Sequence, residues 1–133
     1  MNTLQGYVTS RSFNGYSLPV PVQNKLLRYH SKEQELIYLL PQCELFIDNN
    51  YMSLFETLKN LKQNSNLGMC SMYMLPDNKE KFESVIKFIK DKNIIMHFIF
   101  ENVVTNYESI QSFNIDRNIN FLINSNNDFI DLA

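Results

Sequence analysis

The sequence predicts a three-layer α/β domain, in which an open, mostly parallel sheet of four strands has helices on both faces. Short apolar runs of strand length alternate along the chain with stretches whose apolar residues recur every three or four positions. The chain has no internal repeat and no linker that would separate two domains. Alternation of this kind is typical of βαβ units, whose right-handed crossovers place helices on both faces of a parallel sheet.

The first strand is predicted over residues 4–9, and a stretch containing two prolines and a glycine, residues 12–21, follows it as a long loop. Loops longer than usual for a βα connection tend to carry function. Pro21 suits the first turn of a helix that we expect to end between residues 31 and 34. The apolar positions that predict this helix are Val22, Leu26 and Tyr29.

The second strand, residues 36–40, is an apolar run stopped by Pro41, which is typical of a strand buried on both faces. A helix over residues 51–63 and a strand over residues 69–75 follow. The third helix is expected to begin at Asp77, with the spacing of a capping box.

The last predicted strand, residues 94–100, is apolar apart from His97 and ends at Glu101. Residues 105–113 are expected to form a fourth helix. The whole chain is predicted to be one domain, 1–133, with its core in residues 4–113 and a tail or oligomer contact in residues 114–133.

Composition excludes several classes of function. The formal charge of −2 creates no field that would attract polyanions, so we expect no nucleic-acid partner. The first residues lack a signal segment, and no apolar run approaches membrane-spanning length, which predicts a cytoplasmic protein without a membrane span. The two cysteines have no metal-ligand spacing, and the six methionines are expected to fill the core, so we expect reduced thiols and neither metal nor cofactor.

In a parallel sheet every strand points its carboxyl end toward one edge, where ligands of open α/β sheets bind. The polar residues that follow the four predicted strands at this edge are Ser10, Arg11, Glu44, Asp77, Glu101 and Asn102. The sequence therefore predicts a polar site there, without naming the reaction.

Arg11 suits bidentate capture of a carboxylate or phosphate, although exposed loop arginines are also common. Ser10 is either a nucleophile, a hydroxyl that binds substrate, or a serine that satisfies backbone groups at a strand end. Glu44 and Glu101 are candidate acid or base groups, with simple solvation as the alternative. Asp77 marks a helix start that would attract an anion, unless its own carboxylate caps that helix.

We do not predict an acid–base pair of His97 and Glu101. The two residues are four positions apart along a strand, which places their Cα atoms about 13 Å apart. We expect His97 to be a hydrogen-bonded histidine of the core.

Many short segments within about residues 5–104 match the pattern of a known family. The matching residues are Gly6 to Arg11, Phe13, Gly15, Pro19, Val22 to Asn24, Arg28, Tyr38 to Leu40, Glu44, Tyr51, Met52, Met74 to Pro76, His97 and Phe98. Together they resemble the sporadic carbohydrate cluster family, which is typified by a Leptospira protein and encoded among genes for surface polysaccharide and sialic-acid-like sugar biosynthesis. Ser12, Val20 and Pro21 depart from the family pattern.

A remoter resemblance is to the catalytic domain of serine recombinases, which also opens with a Gly-Tyr strand followed by serine. The two resemblances imply a flavodoxin-like or serine-recombinase-like arrangement of the sheet. Recombinases need several arginines at the phosphodiester, and the exit of the third strand at Leu75, Pro76 and Asp77 has none.

The family resemblance implies a small cytoplasmic protein that binds, and in one version modifies, an anionic sugar or sugar nucleotide. Arg11 with Gln23, Asn24, Arg28, Tyr51 and Asp77 would hold the ligand, and Glu44, Glu101 or Ser10 would carry any chemistry. One alternative is a non-catalytic accessory subunit that docks on a pathway enzyme through the tail and the loop from Phe13 to Pro21. A homo-oligomer is a further possible partner. A degenerate recombinase-like DNA binder is the remaining alternative.

Overall fold

The computed structural model describes residues 2–13, 15, 17–41 and 51–112, and these residues form five strands with helices between them. A short helix, α4, covers residues 107–112. The other elements in chain order are β1 (Thr3–Gly6), α1 (Val20–Glu33), β2 (Ile37–Leu39), α2 (Met52–Asn60), β3 (Asn66–Met69), a 3₁₀ turn (Met72–Met74), α3 (Lys79–Lys92), β4 (Ile95–Phe98) and β5 (Val103–Thr105).

The strands form one sheet in the order β2-β1-β3-β4-β5, in which the first four are parallel and β5 runs antiparallel to β4. Side chains alternate between the faces of a strand. Gly68 in β3 faces Leu27 of α1, whereas Gln5 in β1 points to the opposite face and lines a cavity with Thr57 of α2. Helices therefore cover both faces, which confirms the predicted α/β class.

The described residues form a sheet of five strands, where the sequence predicted four. Asn102 takes a left-handed conformation with φ of 53°, which turns the chain back after β4. Asparagine adopts this conformation more readily than most residues. The next residues pair as β5, with Val104 opposite His97. A strand of three residues gives too short a periodic pattern to detect in sequence, although Val103 and Val104 have high strand propensity.

The prediction that β2 is buried on both faces is wrong. Among the described strands β2 lies at the edge of the sheet, and the side chains of Ile37 and Leu39 are 46% and 41% exposed. An apolar run alone does not distinguish a central strand from an edge strand, because it contains no information on which strand lies beside it.

The buried face of α1 also differs from the predicted one. Val22 and Tyr29 are 41% and 65% exposed, and the fully buried positions are instead Gln23, Leu27 and Ser31. Of the two polar members of this face, Ser31 bonds within the helix, since its Oγ donates to the carbonyl of Arg28, whereas Gln23 bonds to the loop before α1. The apolar pattern of the sequence thus predicted the buried face of α1 about one residue away from its observed position.

Two glycines leave room on the sheet for a side chain of α1 and a side chain of β2. Gly6 and Gly68 lie opposite each other in β1 and β3. A Cβ at Gly68 would meet side-chain atoms of Leu27 and Leu4 at 3.1 Å, and a Cβ at Gly6 would overlap the hydroxyl of Tyr38. The missing side chains leave the space that Leu27 and Tyr38 fill.

On the other face, α2 and α3 are joined by a charged side chain. Lys92 Nζ, at the end of α3, donates hydrogen bonds of 2.7, 2.6 and 2.8 Å to the carbonyls of Leu58, Lys59 and Leu61. These carbonyls lie at the C-terminal end of α2, where carbonyls lack helical partners and the helix dipole is negative. In the described part of the chain, none of the helices has the length and apolar character needed to cross a membrane.

Candidate functional site

The connection after β1 is shaped by the side-chain amide of Gln23. Its Nε2 donates to the carbonyls of Thr9 at 2.7 Å and Leu18 at 2.8 Å, and its Oε1 accepts from the N–H of Thr9 at 3.2 Å. Gln23 is fully buried. Both amide hydrogens and the oxygen are thus used on backbone groups, so Gln23 supports the loop rather than contacting a ligand as predicted.

Arg11 leaves this loop and packs against two tyrosines. Its Nη2 donates to the hydroxyl of Tyr7 at 3.0 Å, and its guanidinium carbon lies 4.0 Å from the ring centroid of Tyr51. Tyr7 is 1% exposed and Tyr51 is 9% exposed. A guanidinium over an aromatic face is held by a cation–π interaction. The structure therefore brings together two of the predicted ligand-binding residues, Arg11 and Tyr51.

A second cation lies at the same ring. Lys81 Nζ is 5.6 Å from the ring centroid of Tyr51. Lys81 is in the first turn of α3, and its backbone N–H donates to Oδ1 of Asn78, which caps the helix. The predicted cap, Asp77, is exposed and precedes the true cap by one residue. Asp77 thus leaves the first amides of α3 to Asn78, contrary to the prediction.

Glu101 lies at the carboxyl end of β4, in the turn to β5, as the prediction placed it. Its carboxylate accepts hydrogen bonds from Ser71 Oγ at 3.0 Å and from the N–H of Met72. Ser71 Oγ also accepts from the N–H of Tyr73 at 3.1 Å. The carboxylate therefore anchors the 3₁₀ turn after β3, a structural role that the sequence did not predict.

Arg11, Lys81 and the two tyrosines lie at one position in the sheet topology. β1 connects through α1 to β2 on one side, and the chain then crosses to β3 on the other side of β1. The crevice at the carboxyl ends of β1 and β3 is the switch point at which open α/β sheets bind ligands. The residues of this crevice, here called the Arg11 site, are Tyr7, Arg11, Tyr51 and Lys81.

No protein-family model matches the chain, and no curated protein matches it.

The other predicted residues lie elsewhere. Ser10 is exposed beside Arg11. Asn24 Oδ1 accepts from the hydroxyl of Tyr38 at 2.7 Å, and the guanidinium carbon of Arg28 is 5.9 Å from the Tyr38 ring centroid. Asn24 and Arg28 therefore contact β2 along α1. The prediction for Glu44 lies outside the described residues.

The hydroxyl of Tyr38 and the thiol of Cys70, which both contact α1, stay protonated at neutral pH. Burial raises the pKa of Tyr38 to about 12 and that of Cys70 to about 12, with the charge of Glu101 adding to the effect at Cys70. A thiol whose pKa is raised by burial carries little thiolate at neutral pH. Cys70 is therefore a core residue rather than a nucleophile.

Both histidines of the chain are engaged with each other. His97 Nδ1 lies 2.9 Å from His30 Nε2, and His97 Nε2 lies 3.0 Å from Asn66 Oδ1. His97 is 3% exposed, which confirms the predicted hydrogen-bonded core histidine. Because the two imidazoles bind each other under α1, neither is placed as a base for the Ser10 hydroxyl.

A metal site is not formed by the described residues, among which no three or more His, Cys, Asp or Glu side chains cluster. A cavity of about 280 Å³ between Gln5 and α2 is lined by Glu56, Thr57 and Asn60 and lies on the α2 face of the sheet. It contains none of the residues that the sequence predicted for a site.

Two members of the Arg11 site were missed from the sequence. Tyr7 was assigned to the first strand, and no periodic signal relates it to Arg11. Lys81 had a usable signal, because a cation in the first turn of the helix after β3 must lie at the carboxyl edge of the sheet. The arrangement supports binding of an anion by two cations held against one aromatic ring.

Proposed function

We propose that this protein binds a small anionic ligand at the Arg11 site, with the carboxylate or phosphate of a sugar or sugar nucleotide as the bound group. The observation that carries the proposal is the convergence of Arg11 and Lys81 on the ring of Tyr51 at the switch point of the sheet. Tyr7 fixes the guanidinium from one side, so its donors are oriented before a ligand arrives.

The biological setting that we propose is surface-polysaccharide or sialic-acid-like sugar biosynthesis in the cytoplasm. The support for this setting is the resemblance of residues 5–104 to the sporadic carbohydrate cluster family. Sugars of that class present a carboxylate, and their activated forms add a phosphate, which are the groups that a guanidinium recognises with two parallel hydrogen bonds.

Calorimetric titration tests the proposed ligand class. We would compare a free nonulosonic acid, a sugar 1-phosphate and a nucleotide-activated nonulosonic acid, using wild-type protein and the variants Arg11→Ala and Lys81→Met. We expect Arg11→Ala to weaken binding at least about a hundredfold and Lys81→Met about tenfold, in line with charge-assisted hydrogen bonds worth about 1.5–3 kcal/mol each.

The matched control is Arg28→Ala, which removes the same charge from the exposed face of α1 beside Tyr38. We expect it to change affinity less than about twofold, because surface substitutions away from a site have small effects. Equal loss in Arg28→Ala and Arg11→Ala would place the anion elsewhere. Circular dichroism establishes that each variant folds.

A second candidate function is docking on a pathway enzyme as a non-catalytic subunit. The observation that favours it is a row of exposed apolar side chains, Ile37, Leu39 and the adjacent Leu40, at the edge of the sheet that the described residues form. The loop residue Phe13, which the sequence offered for docking, is instead 4% exposed and packs on Phe100 with ring centroids 6.1 Å apart. Pull-down of pathway enzymes by wild-type protein and by Leu39→Lys tests this function.

A further inference from the structure

A chain of three hydrogen bonds connects α1 to the sheet through both histidines. Asn66 Nδ2 donates to the carbonyl of Thr3 at 3.2 Å, which orients the amide so that Oδ1 faces His97. His97 Nε2 lies 3.0 Å from that oxygen, and His97 Nδ1 lies 2.9 Å from Nε2 of His30. These three hydrogen bonds thus link β1, through β3 and β4, to α1.

The hydrogen bond from Asn66 to Thr3 determines which ring nitrogens of His97 and His30 carry protons. Because Asn66 Oδ1 is an acceptor, His97 must carry its proton on Nε2. Nδ1 of a neutral His97 is then a lone pair, which accepts the Nε2–H of His30. His30 can take up a further proton on its own Nδ1 without breaking any of these bonds, whereas His97 cannot.

A proton on His97 Nδ1 would remove the acceptor on which the histidine pair depends. Two N–H groups would then face each other across 2.9 Å, and both rings would be cationic if His30 were already charged. His97 is 3% exposed, so water would not compensate the new charge. The pair is therefore stable with at most one added proton.

The groups that face the pair do not offset this repulsion. Glu33, on α1, is the charge that acts on His30, and it in turn accepts a hydrogen bond from Tyr29. β3 contributes Asn66 and Gly68 beside His97, and β5 contributes Val104, all of them uncharged. Glu33 favours the first proton on His30 but is not a partner of His97.

We propose that His30 and His97 form an acid-sensitive latch that holds α1 against the sheet while His97 is neutral and releases α1 when His97 is protonated. Burial and the charge of His30 hold the pKa of His97 at about 4, and burial lowers the pKa of His30. Both folded-state pKa values lie below the ordinary value of 6.5, so the unfolded chain binds more protons than the folded one below that pH. Stability is therefore lost as the pH falls below 6.5, and the loss is complete below about 4 for His97.

Release of α1 also reaches the candidate site. α1 contains Gln23, whose amide holds the backbone of Thr9 two residues before Arg11. Movement of α1 away from the sheet withdraws this support. This consequence for ligand binding rests on the proposed function, whereas the latch itself does not.

Nitrogen-15 NMR of the imidazoles tests the proton arrangement directly, because the chain has two histidines and the spectrum reports on this pair alone. We expect both rings to carry the Nε2–H tautomer at pH 7.5, and His30 to titrate before His97. A His97 ring with the Nδ1–H tautomer, or one that titrates near pH 6.5 like a solvated imidazole, would overturn the latch.

Amide hydrogen exchange at pH 7 and pH 4.5, corrected for the intrinsic rate, tests the release. We expect protection in α1 to fall at least about tenfold more than protection in α3, whose described contacts include no histidine. Equal loss in both helices would overturn the proposal. This readout needs no ligand, so a failure of anion binding at every pH would contradict the proposed function and leave the latch intact.

Chemical denaturation from pH 7.5 to pH 5 supplies the mutational test. In the wild type, the folding equilibrium constant should fall by about tenfold per pH unit below 6.5 for each proton that the folded state excludes. His97→Gln should remove most of this dependence. His30→Gln, at a partly exposed position that tolerates substitution better, should reduce it; a full wild-type dependence in both variants would overturn the proposal.

Discussion

The side-chain amide of Gln23 hydrogen-bonds both the N–H and the carbonyl of Thr9, and so pairs with that residue as a neighbouring strand would. Thr9 is 1% exposed, and its Oγ1 accepts from the N–H of Arg11 at 3.1 Å. The loop that presents Arg11 thus depends on a buried helix residue rather than on regular pairing in the sheet.

Gln23→Leu should therefore destabilise the protein by about 3 kcal/mol, because it leaves the buried polar groups of Thr9 without partners. Urea unfolding followed by circular dichroism measures the loss. The control is Gln34→Leu, an exposed position just after α1, for which we expect a change below about 0.5 kcal/mol. Similar losses in both variants would show that the amide contacts contribute little.

Glu101→Ala should destabilise the protein by about 2 kcal/mol, because the carboxylate accepts charge-assisted bonds from Ser71 Oγ and the N–H of Met72. Glu101→Gln should cost about half as much, since an amide keeps one acceptor. A double-mutant cycle with Ser71→Ala should give a coupling energy of about 1 kcal/mol. Additive effects would contradict the contact, and Glu83→Ala, at an exposed position on α3, is the control for removal of a charge.

Lys92→Met should lower the free energy of unfolding by about 2 kcal/mol, because the ammonium group donates to three carbonyls at the end of α2. Methionine replaces the apolar part of the lysine side chain, so the substitution removes only these hydrogen bonds. Lys87→Met, at an exposed position on the same helix, should change stability by less than about 0.5 kcal/mol. If the two substitutions have equal effects in urea unfolding, the carbonyl contacts do not stabilise the packing of α2 on α3.

The alternation of the first four strands with three helices could be predicted from the sequence, because apolar runs and amphipathic stretches depend on local residue order. The third strand was misplaced: β3 is Asn66–Met69, and the predicted run 69–75 contains the 3₁₀ turn Met72–Met74. The position of a strand in the sheet could not be predicted. β2 and β4 are both apolar runs in the sequence, yet in the described sheet β2 lies at the edge and β4 lies between two strands, since only the tertiary arrangement determines their neighbours.

The candidate site was predictable in part for a related reason. Arg11 and Glu101 were expected at the carboxyl edge because strand polarity determines which residues lie there. The role of Glu101 depends on Ser71 and Met72, which lie about thirty residues earlier in the chain, and no local pattern reports such a contact. In the same way, His97 was recognised as a core residue, but its partner His30 was not.

The facing glycines of β1 and β3 link the volumes of residues that are far apart in sequence. A methyl group at Gly68 would meet Leu27, and one at Gly6 would overlap the Tyr38 hydroxyl. A larger residue at either glycine therefore requires a smaller side chain at Leu27 or Tyr38. Divergent versions of this sheet should accordingly exchange size between these pairs, with alanine in a strand accompanied by a smaller side chain at position 27 or 38.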